Sequence, residues 1–294
     1  MIKEINGHTA VYGVIGDPVS HSFSPQIHGY FADLCGINMA YLPFHVKEAE
    51  VPNAINGAHA LGIHGLNITV PHKKTILPHL TQVDVMAKRV GTVNTLMWTD
   101  RGYIGHNTDY IGIQHTLASL GMSFKNSTVV ILGAGGTAYA ACIAAADQGA
   151  KELTIINRTR ENAIFLASHA NTYYNVPVNV LGFEAFSNLS VKPDIVVQTT
   201  TIGFGEAQDH SPVPDSYKKF FRDVQVAFDI IYSPWETAFM RQAQEADVPK
   251  IVNGFPMLVY QAAAAFDLWH GTEIMKNGDM ETHVKALAKK ATMA

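Results

Sequence analysis

The run Val129-Val130-Ile131-Leu132-Gly133-Ala134-Gly135-Gly136-Thr137-Ala138 decides how this chain is read. Its first four residues are apolar without interruption, the pattern of a strand buried on both faces. Glycines follow in the order G-x-G-x-x-A, and a small-residue stretch of helical length continues to about Gln148. A second apolar run, Leu153 to Ile156, completes strand, turn, helix and strand. A glycine pattern alone is weak evidence, but between a strand and a helix it points to a dinucleotide-binding turn. The glycines permit a tight turn and close backbone approach, and free amides at the helix start receive a pyrophosphate. Gly133, Ala134, Gly135, Gly136, Thr137 and Ala138 are therefore candidate cofactor-binding residues.

The end of the second strand carries the choice of cofactor. An acid there would bind the 2′-hydroxyl of NAD, and a basic residue accommodates a 2′-phosphate. Here the chain reads Asn157-Arg158-Thr159-Arg160, with no acid until Glu161. Two guanidinium groups and a hydroxyl favour NADP over NAD, the alternative being merely solvated arginines.

Further strands are expected at Asp194 to Val197 and Gln225 to Ile230, each ending in a loop of polar or small residues. Such loops border the ligand in open α/β sheets, which places Thr200 on the cofactor side. A helix from Trp235 to Ala246, a short strand at Lys250 to Val252 and an apolar helix from Pro256 to about Trp269 follow. Gln261 is the uncharged polar residue in that last helix. It either caps a backbone group or reaches a ligand, because a buried amide without partners is costly. A weakly amphipathic segment runs on from about Asp279.

Upstream of the glycine turn, residues 11–15 read as a buried strand. Ser24 is placed to cap a helix whose first residue is Pro25, running to about Cys35. Strands at 39–46 and 64–69 enclose a helix at 50–61. This β-α-β alternation predicts a mostly parallel sheet covered by helices. The strand at 64–69 ends at Pro71, so Asn67 and Thr69 share one face and Lys73 follows the turn. By themselves they also describe an ordinary strand end with a solvated lysine. Asp84 to Arg89 reads as helical, and Asn94 lies in a β-branched run as a turn residue or a group aimed at a ligand. A hairpin through Asp100-Arg101-Gly102 leads to Asp109, at the start of a helix reaching about Leu120. A helix-end acid needs no further function.

The composition bounds these readings. At 294 residues the chain has room for about two domains. With 47% apolar and 16% charged residues it has core material for both. A net charge of −4 and the absence of a dense Lys/Arg block argue against nucleic acid as a partner. The two cysteines, Cys35 and Cys142, form no Cys-x-x-Cys, which suits a reduced, cytoplasmic setting. Met1 to Glu4 begins no signal-peptide core. The uncharged span from Val129 to Ala146 is better explained by strand, glycine turn and buried helix than by a membrane. The 14 histidines include no His-x-x-x-His with a flanking acid, and no metal site is expected.

Taken in order, these stretches resemble the shikimate dehydrogenase family. The resemblance is carried by Gly16-x-Pro18-x-x-His21-Ser22-x-Ser24-Pro25, Asn67-x-Thr69-x-Pro71-x-Lys73, Gly91-x-Val93-Asn94-Thr95 and Gly105-x-Asn107-Thr108-Asp109. It continues through the glycine turn, Asn157-Arg158-Thr159, Asp229-x-x-Tyr232-x-Pro234-x-x-Thr237 and Gly254-x-x-Met257-Leu258-x-x-Gln261. It implies an α/β fold of two domains: a substrate domain from residues 1–109 and 255–294, and a Rossmann-type NADP-binding domain at 110–254. It implies reversible reduction of 3-dehydroshikimate to shikimate, in the pathway to chorismate and aromatic amino acids, by a monomer or homodimer. Lys73 and Asp109 would be the catalytic pair. Ser22 and Ser24, with Tyr232, would bind the substrate carboxylate, and Asn67, Thr69, Asn94, Asp109 and Gln261 would read the ring hydroxyls. Gly254 and Met257 would join the cofactor site.

Some positions depart from the family pattern. Gln198 stands where Asn is common and Phe204 where Met is frequent, both expected near the nicotinamide. Asn162 occupies a position that often holds another base, which would weaken NADP selectivity unless Arg160 compensates. The Ser-x-Ser pair points to shikimate rather than quinate. The enzymatic rival is a quinate/shikimate dehydrogenase with relaxed substrate or NAD use. The rival of another class is a non-catalytic sensor of the same ligands, which would need neither Lys73 nor Asp109.

Overall fold

The computed structural model describes residues 5–188 and 192–292. The chain divides into two compact units, Met1–Gly112 with Leu258–Ala294, and Ile113–Met257.

The first unit runs β1 (Ala10–Gly16), α1 (Ser24–Cys35), β2 (Met39–His45), α2 (Val51–Ala60), β3 (Gly65–Ile68), β4 (Gln82–Val83), α3 (Val85–Val90), β5 (Thr95–Thr99), β6 (Gly102–His106) and the start of α4 (Asp109–Ser119). The sheet order is β2-β1-β3-β5-β6-β4. β1 pairs in parallel with β2 and β3, while β5 runs antiparallel to β3 and β6. The hairpin expected at Asp100-Arg101 closes with Thr99 opposite Gly102. Ile15, Leu66, Ile68 and Leu96 from the strands pack with Val51 and Ile55 of α2 to make the core.

One expectation for this unit is corrected. Ser24 does not cap α1: the helix already includes it, Phe23 is the N-cap residue, and no side-chain cap is made. Asp84 does act as a cap, accepting from the amides of Met86 and Ala87, so α3 begins one residue later than the sequence suggests.

The second unit contains β7 (Thr128–Leu132), α5 (Gly136–Asp147), β8 (Glu152–Ile156), α6 (Arg160–Tyr173), β9 (Val178–Leu181), β10 (Ile195–Gln198), β11 (Val226–Asp229), α7 (Ala238–Glu245) and β12 (Lys250–Val252). Its order, β12-β11-β10-β7-β8-β9, is parallel throughout. That is the doubly wound order of a Rossmann unit, with its crossover reversal between β7 and β10. α5 is buried from Thr137 to Ala146, because alanines on every side let it lie against its neighbours. α7 starts at Ala238 rather than Trp235, since Thr237 accepts from the Met240 amide and fixes the first turn there. β9, short and only partly buried, has no clear signature in sequence.

The chain ends with α8 (Phe255–His270), α9 (Ile274–Asn277) and α10 (Met280–Ala291). In the first unit, Trp269 of α8 donates to the Leu96 carbonyl at 2.9 Å and its ring packs on Tyr12. Among the described residues, no helix is long and apolar enough to cross a membrane.

Candidate functional site

In the first unit, β3 ends at Ile68 and the chain turns through residues 70–76 before reaching β4. His72, fully buried, makes a 2.7 Å hydrogen bond from Nε2 to the Val46 carbonyl. The Lys73 carbonyl accepts from the Val93 amide at 2.9 Å. These two ties bring the Lys73 side chain beside the segment that carries Asn94. The ammonium donates to Asp109 Oδ2 at 2.5 Å, and the two residues are only 8% and 4% exposed.

Asp109 is therefore more than a helix-end acid. Its carboxylate is held on both oxygens, because Asn94 Nδ2 donates to Oδ1 at 2.9 Å. The start of α4 is served instead by Asn107, which accepts from the Tyr110 amide and donates to Thr92. A buried pair of charges tolerates loss of water only when its remaining lone pairs and protons are also bonded. Asn94 meets that need for Asp109.

Asn94 is the hub of a wider network. Its Oδ1 accepts from the Thr108 amide at 2.7 Å and from Thr95 Oγ1 at 3.0 Å. Its Nδ2 also faces Thr108 Oγ1 at 3.0 Å and Gln261 Oε1 at 3.3 Å. Gln261 caps a backbone group, Nε2 donating to the Leu258 carbonyl at 2.9 Å, while its Oε1 joins the buried network.

Asn67 occupies the neighbouring position on β3. Tyr41 donates to its Oδ1 at 2.6 Å, and its Nδ2 donates to the Asn94 carbonyl and to Thr95 Oγ1. Burial pushes the Tyr41 phenol well above its ordinary range, against a smaller pull from a hydrogen bond with Ser24, so the phenol stays a donor. Ser22 Oγ accepts from the Ser24 amide at 3.3 Å. Thr69 lies just past β3, half-buried, with its amide bonded to the Ile15 carbonyl. Lys73, Asp109, Asn94, Gln261 and Asn67 thus share one network, and Ser24 joins it through Tyr41.

Tyr41, Thr95 and Thr108 belong to this network without having been singled out from sequence. The signal for Tyr41 was its alternation with Met39 on the buried face of β2. The two threonines sat inside motifs whose asparagine and aspartate drew the attention.

In the second unit, the glycine turn has the form that a nucleotide requires. Gly133 has φ +110, and a Cβ there would lie 2.7 Å from Thr199 Oγ1, so only glycine fits. Gly135 is the N-cap residue of α5, with no side-chain cap and open space where its Cβ would be. An anion can approach that backbone closely. Asn157 Nδ2 donates to the Thr159 carbonyl at 2.7 Å, shaping the turn after β8. Arg158 and Arg160 are exposed and make no ion pair among the described residues. The donor set fits a dinucleotide that carries a 2′-phosphate.

The loop after β10 is tied down by Gln198, which is fully buried. Its Nε2 donates to the carbonyls of Thr200 and Ile202, and its Oε1 accepts from the Thr200 amide at 2.6 Å. Asp229, at the end of β11, shapes the next loop by accepting from the Ile231 amide and Thr237 Oγ1. Burial raises its carboxyl to about 7, the two hydrogen bonds opposing. Tyr232 lies on that loop, half-buried beside Phe255, and Gly254 donates its amide to the Ile231 carbonyl. Met257 is buried at the start of α8.

A Rossmann unit with unpaired arginines at its second strand, in one chain with a buried lysine–aspartate pair, defines a nicotinamide-nucleotide dehydrogenase. The chain belongs to the shikimate dehydrogenase family. Residues 14–96 match the shikimate dehydrogenase substrate binding domain, and residues 116–203 match the shikimate / quinate 5-dehydrogenase family. The shikimate dehydrogenase (NADP(+)) of Moorella thermoacetica is 38% identical, over 92% of this chain and 91% of the relative. That of Gloeothece citriformis is 36% identical, over 90% and 92%. A crystal structure of a shikimate dehydrogenase in complex with NADP+ superposes with a TM-score of 0.84 at 35% identity, covering 98% of each chain. The Listeria monocytogenes shikimate 5-dehydrogenase, solved with shikimate and NAD, gives 0.86 at 28% identity over 98% and 99%.

Proposed function

We propose that this chain catalyses the reversible, NADP-dependent reduction of 3-dehydroshikimate to shikimate. The observation that carries the reading is the Lys73–Asp109 pair, buried at 2.5 Å within a network of hydrogen-bonding side chains. Such a network suits a small ring bearing several hydroxyl groups.

NADP, when bound, supplies the hydride. Reduction of the ketone leaves an alkoxide that needs a proton. The Lys73 ammonium has three donors, one of them held by Asp109, and can both stabilise that charge and relay the proton. Asp109 fixes the ammonium in place and balances its charge. Asn94 holds Asp109, so the pair keeps one geometry through the turnover. Asn67, Thr69 and Gln261 read ring hydroxyls, while Ser22, Ser24 and Tyr232 take the carboxylate. On the nucleotide side, the amides at Gly135 and Gly136 receive the pyrophosphate, and Arg158 and Arg160 take the 2′-phosphate. Thr200, Gly254 and Met257 border the nicotinamide.

The same reading places the protein in the cytoplasm, which its exposed, unbridged Cys35 suits, as a monomer or homodimer. A second reading, relaxed use of quinate or NAD, follows from the quinate in the matched family's description and from the NAD in the Listeria structure. Turnover with shikimate and quinate, each with NADP and NAD, separates the two. Shikimate with NADP is expected to give the highest kcat/KM; equal or better quinate oxidation would replace the first reading by the second.

A further inference from the structure

Thr95 opens β5 directly opposite Asn67 on β3, so the two side chains stand on one face of the sheet as a cross-strand pair. The residue is fully buried. Its Oγ1 accepts from Asn67 Nδ2 at 3.1 Å and donates to Asn94 Oδ1 at 3.0 Å. Neither direction can be reversed, because an amide nitrogen only donates and an amide oxygen only accepts. With its single hydrogen committed to Asn94, the hydroxyl can only accept from Thr108 Oγ1, 3.1 Å away.

The amides at either end have no freedom to turn over. Asn67 Nδ2 also faces the Asn94 carbonyl, which only accepts, and Asn94 Oδ1 faces the Thr108 amide, which only donates. Tyr41 then donates to Asn67 Oδ1 at 2.6 Å, and Asn94 Nδ2 donates to Asp109 Oδ1 at 2.9 Å. A single run of hydrogen bonds thus passes from the Tyr41 phenol through Asn67, Thr95 and Asn94 to the Asp109 carboxylate, every hydrogen pointing the same way. Aligned bonds in a low-dielectric interior polarise one another, and this run ends on the carboxylate that holds Lys73. Both hydrogens of the Asn67 amide are taken within the run. Among the described residues its oxygen accepts from Tyr41 alone, which leaves one lone pair open. Valine has the same shape as threonine and is far more often buried. At position 95 it would leave an Asn67 hydrogen unbonded and cut the side-chain link to Asn94.

We propose that Thr95 is a positioning residue: its hydroxyl couples the Asn67 amide, which reads a ring hydroxyl, to the Asn94–Asp109 contact that holds Lys73. The assignment rests on the function proposed above. Through Asn67 the bridge fixes how the substrate ring is met, because the open lone pair of Oδ1 keeps one direction. Through Asn94 it keeps the Asp109 carboxylate, and with it the Lys73 ammonium, in one place during proton transfer. Thr95, fully enclosed, acts through these two neighbours and not on the substrate itself.

Thr95→Val keeps the shape and removes the hydroxyl, while Thr95→Ser keeps the hydroxyl and removes the methyl. Thr95→Val is expected to lower kcat/KM for shikimate by about tenfold, the range of one ordinary hydrogen bond, through both a higher KM and a lower kcat. KM for NADP stays within about twofold. Tyr41→Phe, which meets Asn67 only, should change KM for shikimate more than kcat. Thr95→Ser should keep most of the activity that the valine variant loses, although the small cavity it leaves lowers Tm. Packing alone would give the opposite order. Thr95→Ala, set against Thr95→Ser, replaces the comparison if the valine variant does not fold. Equal kcat/KM in wild type and folded Thr95→Val, or a serine variant no better than the valine or alanine one, would overturn the role of Thr95 alone. So would a Thr95→Val effect confined to KM, which would cut Asp109 out of the run. A wild-type protein inactive on shikimate with either cofactor would overturn the functional reading and this proposal together.

Discussion

Lys73 and Arg158 are both cations that await an oxygen, yet they are held in opposite ways. Lys73 is 8% exposed and bonded to Asp109 at 2.5 Å, and Asp109 is held in turn by Asn94. Arg158 stands exposed on a turn with no ion pair among the described residues. The first unit thus holds its polar side chains in a buried, mutually bonded network, which the proposed function assigns to a small hydroxylated ligand. The second offers an open glycine turn at the start of α5 and exposed guanidinium groups, which the proposed function assigns to phosphates.

The same contrast appears between two buried carboxylates. Asp109 has a cation beside it, whereas Asp229 has an amide, a hydroxyl and no cation among the described residues. Burial accordingly raises Asp229 to about 7. Asp109 is set against a counter-charge, whereas Asp229, without one, shapes a loop.

The sharpest way to break the comparison is Lys73→Ala. Turnover is expected to fall by about 10²–10⁴, the usual range for lost acid–base help. NADP affinity, measured by direct binding, should persist because the residues proposed to hold it belong to the second unit. An equally large loss of NADP affinity would show that Lys73 has been misplaced.

Asp229→Asn tests the second contrast. A carboxyl whose pKa is raised in the fold binds its proton more tightly there, so its contribution is present below about pH 4 and lost as pH rises through about 7. Asparagine mimics the protonated form, with an acceptor for Ile231 and a donor for Thr237. The variant should match wild type near pH 4 and exceed it at pH 8 by up to about 4 kcal/mol. Denaturation curves that run parallel at both pH values would remove the assignment.

Arg158→Ala should have the smallest effect. Discrimination in favour of NADP should fall by about tenfold, roughly one charge-assisted hydrogen bond. Folding stability should stay within about 0.5 kcal/mol, as for other surface changes. An unchanged NADP/NAD ratio would mean that Arg160 or the backbone holds the 2′-phosphate.

Much of the fold was open to reading because it is written in local terms. The strand–glycine–helix pattern of Val129 to Ala138 and the hairpin at Asp100-Arg101 depend on residues close in sequence. One error came from packing the local pattern did not show, the other from a cap a few residues further on. Ser24 looked like a cap, but it lies buried within α1, and Phe23 precedes the helix without a side-chain cap. Trp235 looked helical, but the cap at Thr237 delays α7.

Sequence by itself determined that the chain pairs a dinucleotide-binding turn with motifs carrying Lys73, Asp109, Asn94 and Gln261. Periodicity and glycine placement are properties of neighbouring residues. Only the tertiary structure decided that Asn94 anchors Asp109, that Gln261, far along the chain, enters the same network, and that Thr95 bridges Asn67 to Asn94. The reason is physical: a buried polar group is stable only with its partners in place, and those partners come from strands and helices that meet only in the folded chain.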